Sequence, residues 1–200
     1  MAAANRETSA SDLWTLGLAS WIIQDGNYPD LRSGQQAEFA IEFHFDDAVL
    51  TQATTPSAEF VKDSDYRIVG RVVFASSDAW VVDCGILVYA EEPPPEGVEE
   101  SVWITGSAFL GVDPFFYFER LHRLPQMPAL VYSWTIERIR RQTAPFVEVT
   151  PRRFERDRSK WGYIDVESTD AWEDDGGHAE YLLDCRKLDV PPKRSSSTAT

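Results

Sequence analysis

Apolar residues recur at every second position between Phe39 and Val112, and turn residues interrupt this pattern at intervals. The clearest run places Phe39, Ile41, Phe43 and Phe45 on one face of the chain, and Ala40, Glu42, His44 and Asp46 on the other. A period of two is that of a β-strand with one packed face and one solvated face, and a helix does not have it. The pattern therefore predicts an antiparallel β architecture.

Further segments with the composition of strands follow along the chain. We predict strands over residues 14–24, 36–46, 66–75, 80–90, 101–112, 130–141, 145–150, 161–167 and 180–188. The best hairpin joins 66–75 to 80–90 through a Ser-Ser-Asp turn. One short helix is predicted near Pro114–Arg123, because Asp113 can cap it and Pro114 suits its first position. These elements predict a mostly β fold, either an antiparallel barrel or a two-sheet sandwich of about 7–9 strands, with this one helix.

The length of 200 residues suits one domain with its own hydrophobic core. Residues 1–11 and 191–200 are polar, so we predict disordered tails on both sides of a single β domain over residues 12–190. Because residues 1–11 contain no apolar segment of a secretory signal, we expect a cytoplasmic protein. In that compartment Cys84 and Cys185 should be reduced and should pack as small apolar residues within strands.

The formal charge of −14 is unevenly distributed along the chain. Residues 1–115 contain 5 Lys and Arg against 19 Asp and Glu, which gives −14, whereas residues 116–200 contain 14 of each kind. A strongly acidic protein repels nucleic acids and anionic membranes and attracts basic partners. Acidity of this kind is also typical of soluble bacterial proteins that have no basic partner.

An acidic loop over residues 91–100 combines five glutamates with three consecutive prolines, so we expect it to be extended and exposed. A second acidic segment spans residues 170–175. Together these segments predict a docking face for a basic protein, formed by Glu91, Glu92, Glu99, Glu100, Trp103, Asp174 and Asp175. The main hypothesis is therefore a non-enzymatic interaction protein, for example an immunity-type inhibitor of a basic partner. Solvated loops without a partner are the alternative.

A basic segment over residues 138–161 supports a different hypothesis. Residues 120–160 contain 10 Lys and Arg against 4 Asp and Glu. Arginines interleaved with aromatic residues are typical of single-stranded nucleic-acid binding, and here they are Arg138, Arg140, Arg141, Arg152, Arg153, Phe154 and Trp161. Alternation predicts that Arg138 and Arg140 continue the apolar face of their strand. A structural role is favoured, in which these arginines pair with carboxylates of the acidic first half.

Candidate catalytic and metal-binding residues are few. The sequence contains no nucleophile elbow, P-loop or dinucleotide-binding fingerprint, so no pattern argues for an enzyme and no cofactor is expected. A metal site would combine His44, Asp46 and His122, with His178 as a further ligand. Such a site would lie at the mouth of a small-molecule-binding barrel or of a metal-dependent enzyme. A solvated strand end is the favoured interpretation of these residues.

Overall fold

The structure, a computed structural model, describes residues 13–45 and 47–194. The predicted N-terminal tail, residues 195–200 of the predicted C-terminal tail and Asp46 lie outside the described residues. The fold is mostly β, with 49% of residues in strands and 10% in helices, and it contains a closed five-stranded barrel. The predicted fold class is therefore confirmed.

Fourteen strands and two short helices make up the described part of the chain. The strands β1 to β14 are Leu13–Ala19, Gln36–Phe39, Ile41–Phe45, Val49–Leu50, Ser57–Lys62, Asp65–Ala75, Trp80–Asp83, Leu87–Ala90, Trp103–Val112, Tyr132–Gln142, Phe146–Thr150, Arg153–Arg156, Tyr163–Val166 and Glu180–Lys187. The helices α1 and α2 are Ser20–Gln24 and Phe116–Glu119. Single 3-10 turns cover Leu121–Arg123, Arg158–Lys160 and Asp174–Gly177.

The barrel consists of β3, β8, β7, β6 and β9 in that order, and it closes where β9 pairs with β3. Strands β3 and β8 run parallel, and the other four pairs are antiparallel. From β9 the sheet continues through β1, β14 and β10 to β2, which leads into β3 through Ala40. Strand β9 and the β2–β3 segment therefore belong to two circuits of paired strands.

Inward-facing residues of both circuits form a continuous hydrophobic core. Within it the rings of Phe43 and Trp80 meet edge to face with centroids 4.8 Å apart, and Phe39 stacks on Trp134 at 5.5 Å. Burying one such side chain stabilises a fold by about 2–3 kcal/mol. A second apolar cluster, which includes Tyr89 of the barrel wall, contains residues of the segment that follows β9.

The predicted hairpin from 66–75 to 80–90 forms, with Val72 opposite Val82 and Ala75 opposite Trp80. Its second strand is divided into β7 and β8, however, because Gly85 adopts φ +106° between them. This left-handed conformation belongs to a turn and not to a strand, and it suits glycine.

The prediction of one strand over residues 14–24 is wrong in its second half. Strand β1 ends at Ala19, and α1 follows. Ile22 and Ile23 are consecutive in sequence and both buried. From this single helical turn both side chains reach the hydrophobic core.

The helix predicted near Pro114–Arg123 is shorter than expected. Phe115 has φ +82°, so the helical conformation begins only at Phe116, and Arg120 interrupts it before the 3-10 turn. Asp113 does not occupy the N-cap position, but its Oδ1 still accepts a hydrogen bond of 3.3 Å from the backbone N–H of Tyr117. Asp113 therefore still accepts a hydrogen bond from the first turn of this helix, although from a position before the N-cap.

A β-bulge corrects the predicted face of β10. The pairing with β14 shifts register between Ile136 and Arg138, so Ile139 is the next buried residue. Arg138 and Arg140 consequently point away from the core, opposite to the prediction from alternation.

Three strands were not predicted from sequence. Strands β4 and β5 fall in a segment whose polar residues resemble a connection, and β12 falls within the basic segment. Residues 191–194 belong to the predicted C-terminal tail. Within them Lys193 forms an antiparallel bridge with Val131, and its Nζ lies 2.6 Å from Oε2 of Glu38.

Candidate functional site

A groove crosses the outer face of the sheet where β1 and β9 meet. Its floor follows one register row across β3, β9, β1 and β14, formed by Glu42, Gly111, Gly17 and Leu182. These positions alternate with buried core residues, so they face outward. The groove therefore lies outside the hydrophobic core and not within the barrel.

Two glycines give the groove its depth. A Cβ atom on Gly17 would lie 2.3 Å from Cζ of Phe109, and one on Gly111 would lie 3.1 Å from Cε1 of the same ring. The Phe109 ring thus lies against both backbones, in space that a side chain would fill. The floor is an aromatic ring on bare backbone, and Glu42 lies beside Gly111 in the register row.

The walls come from four segments. Residues 62–65 at the β5–β6 turn form one wall, and the β11–β12 hairpin contributes Phe146, Glu155 and Arg156. The segment leading into β13 contributes Trp161 and Tyr163, and α1 contributes Trp21 and Ile22. The groove has a volume of about 1180 Å³.

Two of these walls contact each other. Burial raises the pKa of Tyr163, and the carboxylate of Asp63, which is hydrogen-bonded to its hydroxyl, raises it further. Asp63 belongs to the β5–β6 turn, and Tyr163 begins β13. The groove is therefore bordered on two sides by segments that meet at this hydrogen bond.

Exposed aromatic residues are concentrated in the groove. Seven Phe and Trp side chains are exposed among the described residues, and four of them line the groove. These four are Trp21, Phe109, Phe146 and Trp161, each between 40% and 46% exposed. Large aromatic surfaces left in water at one place are a feature of binding sites.

The lining of the groove is acidic as well as aromatic. It contains five carboxylates against one lysine and one arginine, a formal charge of −3 with His44 neutral. The carboxylates are Glu42, Asp63, Asp65, Glu155 and Glu180. The groove thus combines the two kinds of group that recognise organic cations, negative charge and aromatic faces.

A histidine and a glutamate form a pair in the groove. Nε2 of His44 lies 3.5 Å from Oε2 of Glu42, and the two residues are two positions apart on β3, so both side chains face outward. The side chain of Glu42 is only 11% exposed, whereas that of His44 is 63% exposed. The hydrogen bond to Glu42 raises the pKa of His44, although partial burial opposes it.

A buried polar cluster adjoins Glu42 beneath α2. Tyr89, which pairs with Glu42 across β3 and β8, donates a short hydrogen bond to Oδ1 of Asp113. Burial raises the pKa of Asp113 to about 6, and the hydrogen bond from Tyr89 partly opposes this shift. Within the described part of the chain, Oδ2 of Asp113 and the hydroxyl of Tyr28 have no hydrogen-bond partner.

Arg156 fixes the β11–β12 hairpin to the body of the protein. Its guanidinium lies 2.6 Å from Oδ2 of Asp175 and donates to the carbonyl oxygens of Ala144 and His178 at 2.8 and 2.7 Å. The same group lies 4.3 Å from the centre of the Phe146 ring. This one side chain therefore positions the hairpin wall of the groove.

The arginines of the basic segment form ion pairs with carboxylates. Arg138 binds Asp165 through two hydrogen bonds of 2.8 and 2.9 Å, and Arg140 donates to Asp184 at 2.7 Å. Two further pairs are Arg141 with Asp174 and Arg153 with Glu155. All four partners lie in the second half of the chain, so the expectation that they would come from the acidic first half is wrong.

The other residues of the nucleic-acid hypothesis are not gathered into one basic surface. Arg152 and Phe154 are exposed on the β11–β12 hairpin, and Trp161 lies in the acidic groove. A phosphate chain would meet the carboxylates of that groove beside Trp161.

Several residues of the predicted acidic docking face already have partners. Glu91 pairs with Arg120, Oε1 of Glu100 accepts a hydrogen bond of 3.3 Å from the backbone of Ala75, and Asp174 and Asp175 bind the arginines described above. Trp103 is half-buried in β9. Glu92 and Glu99 are exposed.

The candidate metal ligands occupy different surroundings. His44 lies in the groove, Nδ1 of His122 contacts the carbonyl oxygen of Tyr117 at 3.0 Å, and His178 packs against Phe146. No group of three or more His, Cys, Asp or Glu placed to hold a metal ion occurs among residues 13–45 and 47–194, and Asp46 lies outside these ranges.

Both cysteines are free and buried. Burial raises the pKa of the Cys84 thiol to about 12 and also raises that of Cys185. Both thiols pack as small apolar groups, as predicted, but only Cys185 lies in a strand, because Cys84 follows the end of β7.

Sequence reasoning did not find the groove. Its aromatic residues and glycines come from separate strands, from α1 and from the segment before β13, and the floor depends on the β1–β9 pairing. Gly17 within an otherwise apolar strand was the available signal, since a glycine in a strand indicates a close approach of another group.

Comparison with known protein families, with curated proteins and with solved structures finds no match to this chain. Among the described residues, no helix has the length and apolar character needed to cross a bilayer.

Proposed function

We propose that this protein is a non-enzymatic binding protein that holds a positively charged segment of a partner protein in its outer groove. An inhibitor of the immunity type, which neutralises a basic partner, would work in this way. The observation that carries the proposal is the coincidence of four exposed aromatic side chains and five carboxylates in one groove. This proposal keeps the basic partner expected from the sequence and assigns its docking to the groove instead of the acidic loop.

The chemistry of the groove favours a cationic occupant. Arg and Lys side chains bind carboxylates, and their cations also stack on the faces of Trp and Phe, where each contact contributes about 0.5–2 kcal/mol. The net charge of −14 would additionally steer a basic protein toward this surface. Removing four exposed aromatic groups from water adds a hydrophobic contribution to the same complex.

The shape and charge of the groove argue against the other ligand classes. At about 1180 Å³ it is larger than pockets for single small molecules, which usually measure about 300–1,000 Å³. Its formal charge of −3 disfavours a phosphate backbone. A polypeptide segment with several basic side chains satisfies both the size and the charge.

The test measures binding of a fluorescent hexa-arginine peptide by anisotropy at low salt. Because any protein of charge −14 attracts such a peptide, two double variants of equal charge are compared. Asp63→Asn with Glu180→Gln removes two carboxylates from the groove, and Asn tolerates the φ of +50° at residue 63. Glu96→Gln with Glu99→Gln removes two from the acidic loop.

We expect the groove variant to weaken binding about tenfold and the loop variant to change it less than about twofold. Trp161→Ala should also weaken binding, whereas Trp172→Ala, at a tryptophan that is 66% exposed outside the groove, should not. If the groove and loop variants lose the same affinity, and the two tryptophan variants also lose the same affinity, the peptide binds by unspecific charge attraction. A loss confined to the loop variant would place docking on the acidic loop.

A further inference from the structure

Glu42 occupies a distinct position among the carboxylates of the groove. Its side chain lies in the floor, next to two residues without side chains, Gly111 and Gly17. Its side chain is 11% exposed, much less than that of His44, its partner on β3. A cation that reaches it from the groove would leave water almost completely, and an ion pair is stronger in such surroundings than at the surface.

The contact between His44 and Glu42 is open on the side of the groove. His44 lies at its surface, with most of its ring in solvent, and the neighbouring Phe109 ring is 6.4 Å away. The separation of 3.5 Å between Nε2 and Oε2 is at the outer limit of a hydrogen bond. An exposed imidazole held by one long contact can rotate away at little cost.

Resting on the proposed function, we infer that Glu42 is the anchor for one Arg or Lys side chain of the partner and that His44 is the group which this cation displaces. Glu42 would then determine specificity for a cation at one point of the groove. His44 would occupy the anchor in the free protein and would lower affinity by competing for it. The two neighbours therefore have opposite effects on binding.

The surroundings of Glu42 support a cation at this point. Tyr89 is its register partner on β8 and binds Asp113, and Asp65 lies beyond Phe109 in the register row that contains His44. The charge of Glu92 also acts on His44. Of the two basic residues in the lining, Lys62 at the end of β5 is the one nearer in sequence to Glu42 and His44. The charged groups that surround the pair are thus mainly acidic.

The experiment uses the same hexa-arginine peptide with single variants of this pair. We expect Glu42→Gln to weaken binding about tenfold and His44→Gln to strengthen it about threefold at constant pH. Glu42→Asp keeps the charge and should recover part of the affinity. His122→Gln, at a histidine outside the groove, is the matched control and should leave binding unchanged. Thermal unfolding verifies that each variant is folded.

The results separate this inference from the proposed function. If Trp161→Ala weakens binding but Glu42→Gln does not, the groove binds the peptide and the anchor assignment is wrong. Weaker binding in His44→Gln would contradict the displacement step, since it would show that the imidazole contributes to the complex. Wild-type protein that does not bind the peptide at low salt would overturn both proposals.

Discussion

Asp113 should make the stability of this protein depend on pH in the direction opposite to that of an ordinary ion-paired carboxylate. Folding buries Asp113 and raises its pKa from 3.8 to about 6. Between these two values the folded chain keeps a proton that the unfolded chain has released. The contribution of Asp113 to the free energy of unfolding therefore decreases as the pH rises through this interval and is constant above it.

The size of the effect follows from the shift. A shift of about 2 pKa units corresponds to about 3 kcal/mol, at about 1.4 kcal/mol per unit. With these two pKa values, about 2 kcal/mol of this loss falls between about pH 4.5 and pH 7.5. This is a large fraction of the 5–15 kcal/mol by which domains of this kind are typically stable, roughly a fifth of it.

The assay compares urea unfolding of wild-type protein and Asp113→Asn across this pH range. The amide retains an acceptor for Tyr89 and for the Tyr117 backbone, and any cost of its buried NH₂ group is constant with pH. Subtracting the free energies of unfolding of the two proteins at each pH cancels the contribution of other titrating groups. Relative to wild type, the variant should gain about 2 kcal/mol between about pH 4.5 and pH 7.5.

A second variant tests the cause. The hydrogen bond from Tyr89 lowers the pKa of Asp113, so its removal in Tyr89→Phe should move the loss of stability to higher pH. A difference curve for Asp113→Asn that stays flat within about 0.5 kcal/mol would refute the reasoning, because it would mean that Asp113 ionises equally easily in the folded and unfolded chains.

Two further predictions concern the construction of the groove. Gly17→Ala should force the Phe109 ring from the floor and lower the free energy of unfolding in urea by about 1–3 kcal/mol. In a Phe109→Ala background this loss should largely disappear, and equal losses in both backgrounds would contradict the packing. Arg156→Gln should lower the free energy of unfolding by about 3 kcal/mol, because it leaves Asp175 and two carbonyl groups without their donor. It should also expose the β11–β12 hairpin to limited proteolysis, and a wild-type digestion pattern would show that other contacts hold the hairpin.

The sequence predicted the fold class because period-two alternation determines which face of each strand is buried. Phe39, Phe43 and Trp80, all singled out by alternation, do meet in the core. The predictions failed where local backbone geometry interrupts that period. The bulge before Arg138 and the left-handed φ of Phe115 depend on tertiary contacts that alternation does not contain.

The candidate site was less accessible to sequence reasoning than the fold. Arg-rich and Glu-rich segments attract attention because their charges are contiguous, yet Arg140 and Glu91 already have partners in the structure. The groove instead joins single residues from strands far apart in sequence, such as Gly17 and Gly111. A parallel pairing between β1 and β9 cannot be derived from the composition of either strand.

The membership of β9 in both circuits has a mechanical consequence. Trp103–Val112 is hydrogen-bonded within the barrel to both β3 and β6, and its Gly111 also pairs with Gly17 of β1, in the floor of the groove. If this strand separated, the two halves would lose their common boundary together, so local opening on one side should propagate to the other. A ligand seated over Phe109 would consequently protect backbone amides deep in the barrel from exchange with solvent.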